Sequence, residues 1–298
     1  MEVSLLMSDS ASFDGLRVAA FESRRADEMA RLIEKLGGRP SVSPSMREVP
    51  LGDNREAVEF ARQIVAGQLD VLIFMTGVGV RHFLAEVDAQ IDRQQLLSAI
   101  ARATTIVRGP KPAAVFKELG LSPTHRVPEP NTWRDVLEAI DREVPIAGRR
   151  VGVQEYGLPN PHLTAGLAAR GAAVSTLTVY RWELPDDVQP LEQNARAIAA
   201  GEIDVVLFTS IQQVINLLLI AERLGLADAL RKQFARLVVA SIGPTTSETL
   251  REQQLPVDLE PEHSKMGHLV VAAAEQSGEI LQIKRATGHD ALADGNTS

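Results

Sequence analysis

Residues 70–83 read DVLIFMTGVGVRHF, and this stretch decides the fold. Val71 to Met75 form an uninterrupted apolar run, which predicts a strand buried on both faces. Thr76-Gly77-Val78-Gly79 breaks the run, and helical spacing follows it. A strand, a tight turn and a helix start therefore share one stretch. A degenerate copy, DVVLFTSIQQVINLL, begins at Asp204. Two copies of one βα unit point to a chain of two related halves, with chemistry expected where these strands end.

Outward from this stretch, each half repeats the same order of signals. Residues 15–21 and 148–153 read as opening strands, and 23–36 and 162–170 as helices; Gly37-Gly38 and Gly171 supply the stops. Segments 41–51 and 174–184 read as edge strands or connections, the first interrupted by Pro44 and Pro50. Helices over 55–66 and 191–200 lead through Gly67 and Gly201 into the two copies. Strands over 104–107 and 237–241 end at Arg108-Gly109-Pro110-Lys111 and Gly243-Pro244-Thr245-Thr246. Asn131 is expected to cap a helix over 133–140, and a last helix is expected over 267–275. Residues 1–14 and 278–298 are expected to be loose termini. Strands alternating with helices predict an α/β protein with parallel sheets covered on both faces. With two such domains, the expected site is the cleft between them, beyond the carboxyl ends of the strands.

Composition narrows the chemistry. The 298 residues are 45% hydrophobic and 23% charged, which is ordinary for a globular chain long enough to bury two cores. Net charge is −8 with no dense basic block, which argues against nucleic acid or an anionic membrane as the main partner. An anionic small molecule at a locally electropositive site is compatible with that charge. There is no cysteine, so disulfides, thiolate nucleophiles and cysteine metal sites are excluded, and a cytoplasmic location is expected. No apolar run approaches the roughly 20 residues that span a bilayer. The first residues carry no signal-peptide pattern. The six histidines have no metal-ligand spacing, and hydrolase-elbow, P-loop and dinucleotide fingerprints are all missing. Chemistry without metal or cofactor is what remains.

Several residues at strand ends have two open readings. Gly77 and Gly79 would let the backbone take positive φ and approach a ligand, or would merely close a tight turn. The second copy has Ser210-Ile211-Gln212 instead, so turn-making alone does not demand the glycines. Backbone N–H groups at the following helix start would bind a carboxylate or phosphate. Arg108 and Lys111 would hold an anion by charge-assisted hydrogen bonds, or are ordinary cations of a solvated loop. Thr245 and Thr246 would meet a ligand, or cap the helix that follows. Tyr156 and Gly157 end a strand and would shape the site. Tyr180 is a half-buried strand tyrosine or a functional phenol.

The segments DVLIFMTGVGVRHF, TIVRGPKPAAVFKELGL, VGVQEYGLPNPHLTAGLAARGA, LTVYRWELP and VVASIGPTTSETLREQQ, in this order, resemble the uroporphyrinogen-III synthase family over residues 15–275. The resemblance implies two α/β domains joined by a two-stranded linker around a mobile cleft. The first domain would comprise 15–46 and 185–275, and the second 50–182. The repeat alone would divide the chain near Pro145. The implied enzyme is a cyclising hydro-lyase of tetrapyrrole (porphyrin, heme) biosynthesis that works as a monomer without cofactor. Its substrate is hydroxymethylbilane, a linear tetrapyrrole with eight carboxylates, handed over by hydroxymethylbilane synthase. Loss of the hydroxyl gives an azafulvene; ring D attacks through its substituted α-carbon, and the spiro intermediate fragments and recloses with ring D inverted. Tyr180 matches the tyrosine that helps the hydroxyl leave. Thr76, Gly77, Val78, Gly79, Ser210 and Ile211 would hold carboxylates, with Arg108, Lys111, Tyr156, Gly157, Thr245 and Thr246 completing the substrate contacts. Pro110-Lys111-Pro112 departs from the family's threonine-bearing loop. Two other classes compete: a noncatalytic tetrapyrrole-sensing relative of the same fold, and a two-lobed binding protein. The short polar stretch after Glu275 is too small for an output domain, and a secretion signal is missing, so the enzyme is the expected class.

Overall fold

Buried apolar runs set the central strands of each sheet, and helices cover them on both sides. The computed structural model describes residues 11–52 and 55–293, with side chains to residue 286. The chain opens with β1 (Arg17–Ala20), α1 (Ala26–Lys35), β2 (Arg39–Val42) and β3 (Arg47–Pro50). It continues through α2 (Arg55–Val65), β4 (Val71–Phe74), α3 (Gly77–Val87), α4 (Arg93–Arg102), β5 (Thr104–Val107) and α5 (Pro110–Glu118). Next come β6 (His125–Arg126), α6 (Trp133–Glu143), β7 (Arg150–Gln154), α7 (Pro161–Ala169), β8 (Ala173–Leu177) and β9 (Tyr180–Glu183). The last stretch holds α8 (Gln189–Ala199), β10 (Val205–Phe208), α9 (Ile211–Arg223), α10 (Ala227–Phe234), β11 (Val238–Ser241), α11 (Pro244–Glu252) and α12 (Met266–Ala293).

The chain divides into two units, Met1–Arg47 with Leu184–Ser298, and Glu48–Glu183. The first holds a four-stranded sheet ordered β11-β10-β1-β2, and the second a five-stranded sheet ordered β6-β5-β4-β7-β8. Every strand pairing within the two sheets is parallel. β3 and β9 pair as a separate two-stranded sheet, and the chain passes from one unit to the other within or next to them.

Side-chain alternation explains the two-sided burial. Along β4, Leu72 and Phe74 enter one core cluster while Val71 and Ile73 enter another. β10 divides the same way, with Val206 and Phe208 on one face and Val205 and Leu207 on the other. Each such fully buried side chain contributes about 1.5–3 kcal/mol of transfer free energy.

The repeat is real, but the halves do not fold separately. In the first unit β1 pairs with β10, and in the second β7 pairs with β4, so each sheet draws strands from both halves. Pro145, where the repeat alone would cut, lies inside the second unit. One clasp marks the equivalence. The Arg150 N–H and guanidinium donate to the Asp70 carboxylate at 2.8 Å each, and the Asp70 N–H returns a bond to the Arg150 carbonyl at 2.8 Å. Arg17 and Asp204 repeat this arrangement at 2.9 Å (N–H), 3.0 Å (Nε) and 2.9 Å. Asp204 also accepts from Arg285 at 2.7 Å.

Some local expectations need correction. Asn131 has φ 62, so it is left-handed and cannot take the extended geometry of an N-cap. Thr132 caps α6 instead, in a capping box with Asp135. Segment 41–51 splits into β2 and β3, and 174–184 into β8 and β9. α12 runs well past Gly278, where a frayed tail was expected; Lys284 anchors it to the Phe234 and Leu237 carbonyls and to Asp258. Residues 1–10 and 294–298 lie outside the described residues.

Candidate functional site

Both sheets reverse strand order at one point, and ligands in open α/β sheets bind at that reversal, beyond the strand carboxyl ends. In the second unit the reversal lies between β4 and β7, in the first between β10 and β1.

At the β4 end, Thr76 is extended and caps α3, its Oγ1 accepting from the Gly79 N–H at 3.0 Å. The TGVG segment is therefore not a turn of positive φ. Gly77 and Gly79 already belong to the helix and neither has positive φ. What they supply is close approach: Gly77 abuts the Lys111 carbonyl, and a Cβ on Gly79 would overlap the Gln154 amide. The Gly77 and Val78 N–H groups have no intrahelical acceptor and lie at the positive end of the α3 dipole. Val78 itself packs partly into the core.

Tyr180 begins β9 and is 1% exposed. Its Oη lies 3.4 Å from Thr76 Oγ1, and its ring packs edge-on to Trp182 at 5.4 Å. Trp182 Nε1 donates to the Tyr156 carbonyl at 3.1 Å. Gly157 closes over the ring: its φ is +83, and a Cβ there would come within 2.6 Å of Tyr180 Cε2. His82 stands 5.7 Å from the Tyr180 ring centroid and pairs with Glu48 at 2.7 Å.

Arg108 follows β5, its N–H donating to the Phe74 carbonyl at 3.0 Å. Its guanidinium sits 5.2 Å from the Tyr156 ring centroid, and its Nε is enclosed without a partner. Among the described residues no carboxylate or carbonyl answers this cation. Burial pulls Arg108 below its ordinary pKa, against the influence of Tyr156 and Tyr180. Burial also holds the Tyr156 phenol above its ordinary value, against the pull of Arg108. Lys111 occupies the first turn of α5 with an exposed side chain.

In the first unit Ser210 caps α9 without a side-chain cap bond, and its Oγ is buried and unpartnered. Ile211 opens that helix. Thr245 and Thr246 lie inside the first turn of α11, whose cap position is Gly243, so neither is the cap. Two residues of this region carry no motif signal, Glu22 and Gln213. Thr209 Oγ1 donates to Glu22 Oε2 at 2.7 Å and accepts from Gln213 Nε2 at 2.7 Å; the Thr209 N–H donates to Gln213 Oε1 at 2.7 Å. At the end of β7 in the second unit, Gln154 is fully buried with Oε1 unpartnered.

The structure thus brings Thr76, Gly157 and Tyr180 together, and Arg108 onto Tyr156. Ser210, Ile211, Thr245 and Thr246 belong to the other unit. The helix starts and the unanswered guanidinium suit carboxylates, and the Tyr180 phenol can donate a hydrogen bond. Among the described residues no cluster of His, Asp or Glu is suited to a metal ion, and no helix is long and apolar enough to cross a membrane.

The family model for uroporphyrinogen-III synthase (HemD) matches residues 27–271. A putative uroporphyrinogen-III synthase of Methanothermobacter thermautotrophicus is 31% identical over 260 residues, covering 86% of this chain and 96% of that protein. An uncharacterized protein of Bacillus subtilis is 30% identical over 262 residues, covering 88% of this chain and 96% of its own length. A crystal structure of a mutant uroporphyrinogen III synthase from Thermus thermophilus superposes with TM-score 0.69 at 28% identity, covering 89% of this chain and 99% of that one. With the paired α/β units and parallel sheets described above, these likenesses establish that the chain belongs to the uroporphyrinogen-III synthase family.

Proposed function

We propose that this chain is an active uroporphyrinogen-III synthase, a hydro-lyase that cyclises hydroxymethylbilane with inversion of ring D and loss of water. One observation carries the reading beyond family membership. The buried Tyr180 phenol meets the Thr76 hydroxyl at the start of α3, in a unit that also holds an unanswered guanidinium at Arg108. A phenol donating a hydrogen bond assists a departing hydroxyl as charge develops on its oxygen. The Thr76 contact limits the rotation of that phenol, and Gly157 and Trp182 hold its ring.

The substrate is an octa-anion and the protein carries −8, so bulk charge opposes binding. Local donors overcome this. Backbone N–H groups of Gly77 and Val78 at α3, and those following Ser210 at α9, take carboxylates without adding surface charge, while the Gly79 N–H is held by Thr76 and fixes that helix start. Arg108 and Lys111 add two cations; Tyr156, Gly157, Ile211, Thr245 and Thr246 shape the remaining contacts. Left to itself the bilane closes to the symmetrical isomer I, so the binding residues must fold it before the hydroxyl leaves. The reading includes a monomer in the cytoplasm that receives the bilane from hydroxymethylbilane synthase.

The test is product identity. Hydroxymethylbilane incubated with the protein should give mainly isomer III on chromatography. Formation of isomer I alone, at the rate of the protein-free control, would refute catalysis and leave the sensing relative as the better reading.

A further inference from the structure

The two strand-order reversals are built from equivalent strands, yet they treat one carboxylate in opposite ways. The matching clasps align Arg17 with Arg150 and Asp204 with Asp70, so Glu22 after β1 corresponds to Glu155 after β7. Glu155 is 4% exposed and both its oxygens are used: Oε1 accepts the Asn160 N–H at 3.2 Å, and Oε2 the Thr178 hydroxyl at 3.0 Å. Glu22 differs. Its Oε2 accepts from Thr209 at 2.7 Å, while its Oε1 has no hydrogen-bond partner among the described residues and is not enclosed.

Register makes this arrangement a built one. Ala20 lies opposite Leu207, so Phe21 follows opposite Phe208, their rings stacked at 5.2 Å, and Glu22 follows opposite Thr209. Thr209 is locked in turn by Gln213, which is fully buried and bonds both its hydroxyl and its N–H. One carboxylate oxygen is thereby held with the other open, beside the helix start at Ser210. A carboxylate repels the anions that a helix start attracts, so it is misplaced as a carboxylate receptor. It suits a centre that becomes positive and must lose a proton.

We propose that Glu22 accepts the last proton of the cyclisation, an inference that rests on the synthase reading. In reclosure the free α-carbon of ring D forms its bond to the methylene carbon with a pair of ring π electrons. That carbon becomes tetrahedral, still carrying its hydrogen, and the ring nitrogen bears the positive charge. Breaking the C–H bond returns the pair to the ring, and the proton passes to Glu22 Oε1 and on to solvent. One proton enters when hydroxide leaves as water and one is released here, so the net loss is water.

The experiment uses the full chain and hydroxymethylbilane deuterated at the free α-position of ring D. Glu22→Gln keeps an oxygen for the Thr209 hydroxyl, so the fold is retained, but it removes the base. Isomer III formation should slow by about 100-fold or more, with a larger deuterium isotope effect than wild type. Glu22→Asp should recover part of the rate. Glu155→Gln should lower the melting temperature and leave the isotope effect unchanged. A Glu22→Gln rate near wild type, an unchanged isotope effect, or an equal isotope change in Glu155→Gln would each overturn the assignment. Isomer I alone from the wild-type chain would instead overturn the synthase reading beneath it.

Discussion

The β4–β7 end of one sheet and the β10–β1 end of the other descend from the same strand–helix pattern, and they have diverged in charge. The first carries a cation and two phenols: Arg108 beside Tyr156, and Tyr180 beside Thr76. The second carries a carboxylate and two amides: Glu22 on Thr209, with Gln213 and Gln212 behind. Where one copy has Gly79, making room for Gln154 from the neighbouring strand, the other has Gln213, which supplies its own amide. A duplicated frame fixes where a ligand meets the sheet. The few residues past each strand end decide which charge it meets there.

The comparison is sharpest at Tyr180. Tyr180→Phe keeps the buried ring and removes the hydroxyl, so turnover should fall by about 10²–10⁴-fold with melting temperature little changed. Near wild-type turnover would remove the phenol from the chemistry and leave the two strand ends distinguished only by binding. The next largest effect is expected at Arg108. A guanidinium whose buried Nε lacks an acceptor is costly to the free protein, while a charge-assisted bond to a ligand contributes about 1.5–3 kcal/mol. Arg108→Met should therefore raise KM by about tenfold or more and also raise the melting temperature. A lower melting temperature with unchanged KM would make Arg108 a packing residue.

The smallest effect tests the frame itself. Arg150 holds the Asp70 carboxylate down to a pKa of about 2, through side-chain and backbone hydrogen bonds. Because the folded value lies below the ordinary 3.8, the clasp stabilises fully above that value. It is lost as pH falls through about 2. The pair is exposed, so Asp70→Asn should cost only about 0.2–1 kcal/mol at neutral pH, measured by urea denaturation. That difference should close in acid. Its counterpart Asp204 is 10% exposed and is held by Arg17 and Arg285. Burial pushes its pKa up, but those hydrogen bonds prevail and leave it lowered. Asp204→Asn should therefore cost more than Asp70→Asn; equal costs would mean that the two clasps are not distinguished by burial.

Much of the fold was legible because it is carried by local chemistry. Apolar runs such as 71–75 and 205–208, short and closed by Gly or Ser-Ile before helical spacing resumes, read as buried strands. The assembly of each sheet from both halves was not legible in the residues alone. A repeat fixes the order of its elements but not which copy pairs with which, and the division 15–46 with 185–275 came only with the family resemblance. The extension of the C-terminal helix past Gly278 has little sequence signal, because the chain there turns polar: Leu281 enters the core and Ile280 packs partly against it, and the rest is held by charge, Lys284 on Asp258 and Arg285 on Asp204. Asn131 and Thr132 are both good capping residues by type, and the left-handed backbone that disqualifies Asn131 has no composition signal. At the strand ends, glycines and cations stand out in a sequence, whereas Glu22 looks like any surface glutamate. Aligning the two halves by their Asp–Arg clasps would have paired it with Glu155 and raised the question of why one is buried.

The crossed origin of the sheets gives the segment around the exposed Pro145 an unexpected role. It joins two halves that each lack the strands needed to close a core, so it acts as a tether that keeps mutually dependent fragments at high effective concentration. A chain nicked there would remain assembled only above a threshold protein concentration. The folding of this protein is, in that sense, the assembly of a dimer whose two members happen to be covalently joined.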